Sequence, residues 1–195
     1  MNIFLQGPSG TGKSYLLRKV LAPYAKAVSG FTVQQLNENG VRIGFRAVII
    51  NGCFQPPEIE YDSGMARVFI LKGRYDISAL EDTILRVEQE SSCRELVLLD
   101  EIGGIELRSE IFLDALRRIF LSGTPIAGVF TSRENLSRMV SNLVLGQEYL
   151  ALHAELERLL QNNGELITLT KENWDETYDY LIKHIHTILE NRGNK

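Results

Sequence analysis

Short apolar runs alternate along the chain with segments in which apolar residues recur every three or four positions. The run at residues 2–6 predicts a strand, and residues 13–25 predict the helix after it. The uninterrupted apolar run at 96–99 is typical of a strand buried on both faces of a parallel sheet. The other predicted elements are strands at 67–71, 126–130 and 166–169 and helices that begin with a Ser78–Glu81 capping box or with the caps Ser109 and Asn173.

Two segments depart from this alternation. Between residues 31 and 50 the apolar positions recur every second residue around the turn pair Asn39 and Gly40, which predicts a β-hairpin. Residues 134–160 are predicted to be mostly helical. We therefore expect an α/β fold: a three-layer sandwich with a mainly parallel sheet, a β-hairpin inserted after the first strand and helix, and an inserted helical stretch near 134–160. Residues 1–195 are expected to form one domain.

Composition and charge narrow the class of protein. The chain is 44% hydrophobic and 24% charged, as globular proteins are. Its formal net charge of -4 argues against broad binding of nucleic acid, which depends on Lys and Arg. No apolar run approaches the ~20 residues of a membrane span, so we expect no membrane association and a cytoplasmic location. Cys53 and Cys93 lack a CxxC spacing and are expected to be reduced, buried thiols.

The strongest chemical signal is the loop between the first strand and the first helix, which satisfies the Walker A pattern G-x-x-x-x-G-K-[ST]. Glycines let the backbone wrap around phosphate groups, and the helix that follows adds the positive end of its dipole. The pattern predicts that Lys13 binds the β- and γ-phosphates of a nucleoside triphosphate such as ATP or GTP, and that Ser14 is a ligand of Mg²⁺. The expected nucleotide-binding residues are Gly7, Pro8, Ser9, Gly10, Thr11, Gly12, Lys13, Ser14 and Tyr15.

A second signal follows the apolar run at 96–99, where Asp100 and Glu101 stand side by side. Ligands bind at the carboxyl ends of parallel strands, so this pair fits a Walker B element. Asp100 is predicted to hold Mg²⁺ directly or through water. Glu101 is predicted to accept a proton from the water that attacks the γ-phosphorus, or to orient that water. The catalytic candidates are therefore Glu101 and Lys13.

The segment D-E-I-G-G-I-E-L at residues 100–107 adds a resemblance to a known family. Together with residues 7–14 and short segments at 29–31, 40–45, 73–75 and 170–173, it resembles the cancer-related nucleoside triphosphatase family along nearly the whole chain. The resemblance implies a P-loop fold with an additional strand between the two Walker strands and a catalytic glutamate after the Walker B aspartate. It also implies slow, Mg²⁺-dependent hydrolysis of ATP, GTP and other nucleotides with little base preference.

The chain also departs from the family pattern. Trp174 follows Asn173 where the family has an Asn-Arg pair, and residues 32–37 replace a Thr-Glu-x-Arg-like stretch. The helical stretch at 134–160 stands in place of a short polar segment and is a candidate surface for a protein partner. Two alternatives to hydrolysis stay open at this point: a kinase that passes the γ-phosphate to a small nucleoside or metabolite, and a nucleotide-dependent switch or scaffold.

Several side chains have two interpretations. Thr131 and Ser132 are either a polar sensor of the γ-phosphate or caps of the next helix. Arg42 and Arg46 either reach phosphate or lie on a solvated face of an edge strand. Arg74, in one of the family-like segments, stays undecided. Trp174 and Tyr178 are expected to pack together on the last helix, and the histidines, with no metal-ligand spacing, to be surface or packing residues: His153, His184 and His186.

Overall fold

One mixed sheet forms the centre of the fold in the computed structural model, which describes residues 2–142, 146 and 148–193. The strands are Asn2–Gln6 (β1), Val28–Glu38 (β2), Val41–Ile49 (β3), Glu58–Glu60 (β4), Val68–Leu71 (β5), Arg74–Tyr75 (β6), Leu96–Ile102 (β7), Ile126–Phe130 (β8) and Gly164–Thr168 (β9). The helices are Lys13–Leu21 (α1), Ser78–Ser91 (α2), Glu110–Leu121 (α3), Arg133–Asn142 (α4), Glu148–Asn163 (α5) and Trp174–Gly193 (α6).

The strand order places the Walker strands near each other. The order along the sheet is β6-β5-β3-β2-β7-β8-β1-β9, with β4 paired to β2. The five strands from β2 to β9 in this order run parallel, whereas β3, β5 and β6 extend the sheet in antiparallel pairs. β8 lies between β1 and β7, as the family resemblance implied. The loops after β1, β7 and β8 therefore open at the same edge of the sheet.

Helices cover both faces of the sheet. α1 and α6 pack together on one face, and α2, α3 and α5 lie on the other. Alternate residues of β7 enter the two cores: Val97 and Leu99 pack with the α2, α3 and α5 side, and Leu96 and Leu98 with the α1 and α6 side. All four leucine and valine side chains are buried, which confirms the prediction of a strand covered on both faces and the three-layer sandwich.

The β-hairpin is confirmed, and its turn explains the sequence signal. Asn39 and Gly40 join β2 to β3 and have φ values of 54° and 76°. Two consecutive positive φ angles are the geometry of the turn that matches the twist of paired strands, which is why Asn-Gly is favoured there. The predicted helical stretch at 134–160 is also confirmed, as α4 and α5 within the described ranges. Buried residues of these helices, among them Leu136 and Tyr149, belong to the main core.

Some predicted boundaries and caps are wrong. α1 ends at Leu21 rather than at residue 25, and a 3-10 helix continues over Ala22–Ala27. Pro23 lies in that segment, and its missing N–H and its ring disfavour continuing the α-helix. β9 lies at Gly164–Thr168, slightly earlier than the predicted 166–169.

The capping box predicted for α2 does not form. The Asp76 carboxylate accepts from the Ser78 N–H at 3.0 Å and from the Ser78 hydroxyl at 2.6 Å. Asp76, which lies before the helix, therefore bonds the first N–H of α2. Glu81 instead accepts a hydrogen bond from the Ser109 hydroxyl at 2.6 Å. The predicted cap at Ser109 is confirmed, because its hydroxyl accepts from the Phe112 N–H at 3.0 Å. The Asn173 side chain precedes α6 but bonds backward, to the Thr170 N–H at 2.8 Å.

One prediction about single residues is corrected in part, and another is confirmed. Cys53 and Cys93 are free thiols as expected, but both are exposed rather than buried. His153 is a packing residue: it is buried and stacks on Phe130 with ring centroids 4.4 Å apart. None of the helices within the described ranges is long and apolar enough to cross a membrane.

Candidate active site

The Walker A loop connects β1 to α1, at the edge where the parallel strands end. Gly7, Gly10 and Gly12 have φ values of 138°, 81° and 86°, a region that side chains with a Cβ rarely adopt. A Cβ on Gly7 would also lie 2.3 Å from the Leu169 carbonyl oxygen. The Thr11 hydroxyl donates to the Pro8 carbonyl at 3.0 Å and closes the loop on itself. The sequence therefore folds this segment as a tight loop whose backbone lies directly before the positive end of α1.

Lys13 begins α1 and reaches back across the loop. Its side chain is buried, and its Nζ donates to the carbonyl oxygens of Gly7 at 3.0 Å and Pro8 at 2.9 Å. Burial lowers the pKa of Lys13, while the nearby carboxylates of Glu101 and Asp100 act in the opposite direction. An ammonium group has three N–H donors, and these two bonds use two of them.

Ser14 and Asp100 meet across the gap between α1 and β7. The Ser14 hydroxyl donates to Asp100 Oδ1 at 2.6 Å, and Asp100 is only 1% exposed. Burial raises the pKa of Asp100 to about 6, against the opposing effects of the Ser14 hydrogen bond and the Arg18 guanidinium. Arg18 Nε lies 3.7 Å from Asp100 Oδ2, and this oxygen has no hydrogen-bond partner among the described residues. The two predicted metal ligands are thus adjacent, with one carboxylate oxygen still unpaired.

Glu101 is held by a residue at the end of the neighbouring strand. Its Oε1 accepts from the hydroxyl of Thr131, which directly follows β8, at 2.8 Å. Ser132 Oγ instead accepts from the Asn135 N–H at 3.3 Å, within the first turn of α4. The sequence left the same two roles open for both hydroxyls, and the structure gives them different partners. Ser132 caps a helix, and Thr131 orients the candidate catalytic carboxylate.

Glu106 is a residue of this region whose role the sequence analysis missed. Its carboxylate is buried and accepts from the N–H groups of Gly103 at 2.5 Å and Gly104 at 2.9 Å. Burial raises the pKa of Glu106, against these hydrogen bonds. Gly103 has a φ of 96°, and a Cβ there would lie 2.7 Å from the Phe130 ring. The motif at 100–107 contained the sequence signal for this role, because Gly103, Gly104 and Glu106 together form the turn that follows Glu101.

The three arginines considered from the sequence have different positions. Arg46 Nε donates to Gln34 Oε1 at 2.7 Å, and Arg42 lies over the Phe45 ring at 5.4 Å, so both of these contacts lie within the β2–β3 hairpin. Arg74 is exposed on β6, at the far end of the sheet from β1. The arginine that does contact the candidate site is Arg18, which also donates to the Val33 carbonyl at 2.9 Å.

A cleft of about 350 Å³ opens beside the two carboxylates. The wall nearest the loop is lined by Ser14, Tyr15, Arg18, Asp100 and Glu101. The opposite wall comes from the hairpin and the segment after it, with Val33, Gln35, Phe45, Gln55 and Pro57. The cleft gives a small molecule, water included, access to the space in front of Glu101.

Comparisons with known proteins agree with this geometry. A family model described as NTPase matches residues 2–185. The human cancer-related nucleoside-triphosphatase is 31% identical over 139 residues, which span 65% of this chain and 73% of the human protein. Nucleoside-triphosphatase THEP1 of Pyrobaculum islandicum is 27% identical over 187 residues, 95% of this chain and 93% of that protein.

A solved structure shares the fold. The crystal structure of THEP1 from the hyperthermophile Aquifex aeolicus matches with a TM-score of 0.61 at 23% identity, over 94% of this chain and 98% of that chain. The P-loop fold predicted from the sequence is thereby confirmed, and so is the resemblance drawn from the motifs. Because the family model spans nearly the whole chain, this chain belongs to the NTPase family that it describes.

Proposed function

We propose that this chain hydrolyses nucleoside triphosphates to the diphosphate and phosphate, with the triphosphate bound on residues 7–14. The observation that carries the proposal is the meeting of Ser14 and Asp100 at 2.6 Å beside the buried ammonium group of Lys13. A hydroxyl, a carboxylate and a cation converge there at the mouth of a phosphate-binding loop. The relatives described above are named for the same activity.

Mg²⁺ is the proposed cofactor, and the residues present fit it. Ser14 and Asp100 offer hard oxygen ligands, and Asp100 Oδ2 is buried without a hydrogen-bond partner in the described part of the chain. Residues 2–142, 146 and 148–193 contain no cluster of three or more acidic, His or Cys side chains that could hold a metal alone. This suits Mg²⁺, which is commonly bound by one or two carboxylates together with phosphates and water. When bound, it would neutralise charge on the β- and γ-phosphates.

Lys13 and the loop backbone would bind the triphosphate. The Lys13 ammonium keeps its two bonds to the Gly7 and Pro8 carbonyls and has a third N–H for a phosphate oxygen. Phosphate charge nearby would favour its charged form and oppose the effect of burial on its pKa. Backbone N–H groups and an ammonium contact phosphate, not the base. These contacts support hydrolysis of several nucleotides, ATP and GTP among them.

Glu101 would act on the attacking water. The Thr131 hydroxyl holds Oε1, and Glu101 lines the cleft, so its carboxylate would be placed to accept a proton there. The water oxygen forms a bond to the γ-phosphorus as the bond to the β–γ bridging oxygen breaks, and the water proton passes to the Glu101 carboxylate. Glu106 supports this step indirectly, because it fixes the turn that follows Glu101.

The two alternative activities gain no support from the comparisons. The relatives are named nucleoside-triphosphatases, not kinases or switch proteins. The protein partner suggested for 134–160 stays a proposal, and α4 and α5 contribute buried side chains to the core there.

Phosphate release from ATP, GTP, CTP and UTP, with Mg²⁺ or with a chelator, tests the proposal. We expect release from all four nucleotides with Mg²⁺ and loss of release with the chelator. Ser14→Ala should lower the rate at least about tenfold and raise the Mg²⁺ concentration needed, because it removes one metal ligand. Ser141→Ala is the matched control, since that exposed serine lies on α4. Phosphate release that is unchanged by the chelator, or that requires an added nucleoside, would contradict the proposal.

A further inference from the structure

Three aromatic rings and one lysine form a stack beside the Walker A loop that the mechanism above does not use. The Tyr15 and Trp174 rings stack with centroids 6.4 Å apart, and Trp174 and Tyr178 stack at 5.6 Å. Lys19 Nζ lies 4.4 Å from the Tyr178 ring centroid and 5.4 Å from that of Trp174. Tyr15 and Lys19 belong to α1, and the other two rings belong to the start of α6.

The stack touches the loop directly. Tyr15 is the residue after Ser14, and the Trp174 Nε1 lies 3.2 Å from where a Cβ on Gly12 would be. Gly12 ends the phosphate-binding loop and immediately precedes α1. A ligand whose phosphates lie on this loop therefore has an aromatic surface within reach.

The sheet order indicates which end of a nucleotide would meet this surface. β8 and β7 lie on one side of β1 and deliver Thr131, Asp100 and Glu101. β9 lies on the other side of β1 and leads into α6 and Trp174. If the γ-phosphate lies at the carboxylates, the nucleoside end of the molecule extends past the start of α1, where Tyr15 both lines the cleft and stacks on Trp174 of α6.

Packing between α1 and α6 explains only part of the stack. Trp174 and Tyr178 are half-buried, contact the core between these helices and carry Lys19 as a cation–π partner. Tyr15 is different, because 62% of it is exposed although its ring is large and apolar. An exposed aromatic ring at the edge of a ligand loop is the feature that packing leaves unexplained.

We propose that Tyr15 and Trp174 form the nucleobase-binding surface of this protein, with the base stacked on the exposed Tyr15 ring and Trp174 supporting that ring from behind. This inference rests on the proposed function, because it assumes that a triphosphate occupies the loop. Stacking accepts any base, since every base has a π face. The surface therefore suits both purine and pyrimidine nucleotides, and the larger purine rings of ATP and GTP should bind more tightly.

The test compares ligands with and without a base. Trp174 is the chain's one tryptophan, so its fluorescence reports binding at this place. We would titrate wild type, Tyr15→Leu and Tyr15→Phe with ATP, GTP and inorganic tripolyphosphate in the presence of Mg²⁺. Tyr178→Leu is the matched control, because it shortens the same stack one helical turn away from the loop.

Stacking on an aromatic side chain is worth about fivefold or more in affinity. We expect Tyr15→Leu to weaken ATP and GTP by at least that factor and to leave tripolyphosphate within about twofold of wild type. Tyr15→Phe should bind like wild type because it keeps the ring. Tyr178→Leu should change ATP affinity by less than about twofold, since its ring is not part of the proposed surface.

Several results would overturn the inference. They are unchanged ATP affinity in Tyr15→Leu, an equal loss for tripolyphosphate, or an equal loss in Tyr178→Leu, which would show that the stack only joins α6 to α1. Phosphate release without any dependence on Tyr15 would refute this inference alone. Base-dependent binding without phosphate release would refute the proposed function and leave the binding surface standing.

Discussion

Replacing Asp100 by asparagine tests whether an ionised carboxylate is kept in this site at the expense of stability. Burial raises the pKa of Asp100 from 3.8 to about 6. In the unfolded chain the same carboxyl ionises near its ordinary value. Between about pH 4 and pH 6 the folded protein therefore binds more protons than the unfolded chain. Stability falls as the pH rises through this window, and the loss is complete above it.

The size of the effect follows from the two pKa values. A difference of about two units, at roughly 1.4 kcal/mol for each, gives about 3 kcal/mol of destabilisation at neutral pH. Asparagine has nearly the same shape and keeps an oxygen for the Ser14 hydroxyl, but it carries no charge. We expect Asp100→Asn to raise the free energy of unfolding by up to about 3 kcal/mol at pH 7.5, and by about half as much at pH 5.

Urea unfolding without nucleotide or metal, at both pH values, measures this difference. Asp179→Asn is the matched control, because Asp179 is exposed on α6 and should change stability by less than about 0.5 kcal/mol. A variant no more stable than wild type at pH 7.5, or a gain that is the same at both pH values, would refute the reasoning. The stabilised variant should also lose phosphate release, because it lacks the charge that the proposed metal needs.

Three further substitutions separate binding from chemistry. Lys13→Ala should weaken nucleotide affinity at least about tenfold, because it removes charge-assisted hydrogen bonds worth roughly 1.5–3 kcal/mol each; near-normal affinity in a fluorescence titration would contradict its assignment. Glu101→Gln should lower kcat at least about tenfold and change nucleotide affinity less than about threefold, since it removes the proton acceptor and keeps the shape. Joint loss of affinity and kcat would instead make Glu101 a metal ligand. Thr131→Val should lower kcat by a smaller factor than Glu101→Gln, because the carboxylate remains but loses its 2.8 Å hydrogen bond. Steady-state phosphate release measures kcat for Glu101→Gln and for Thr131→Val. An unchanged kcat in Thr131→Val would show that the hydroxyl does not orient Glu101.

Features set by short-range patterns could be predicted from the sequence. The Walker A loop, the Asn39-Gly40 turn and the Ser109 cap each depend on a few consecutive residues whose geometry is intrinsic. The β7 strand was recognisable because both of its faces are covered by core. Its carboxyl-terminal Asp100 and Glu101 then followed from the rule that ligands meet the ends of parallel strands.

Features set by long-range contacts could not be predicted from the sequence. Thr131 and Ser132 are adjacent and chemically alike, and only the pairing of β7 with β8 decides which of them meets Glu101. The helical pattern does not distinguish Arg18 from its neighbours, yet its guanidinium donates to the Val33 carbonyl of β2 in the folded chain. Ser78 and Glu81 match the sequence pattern of a capping box, but the Ser78 hydroxyl donates to Asp76 and the Glu81 carboxylate accepts from Ser109 instead. Tertiary partners competed with the local pattern in each case.

The buried His153 gives α5 a mechanical connection to the chemistry. Its Nε2 lies 2.6 Å from the Thr131 carbonyl oxygen, and the Thr131 hydroxyl in turn holds Glu101. A displacement of the α5 axis would therefore be transmitted through one imidazole to the residue that orients the attacking water. Because Glu101 is proposed to act on the water and not to bind the triphosphate, such a displacement would change kcat and leave the triphosphate affinity nearly unchanged.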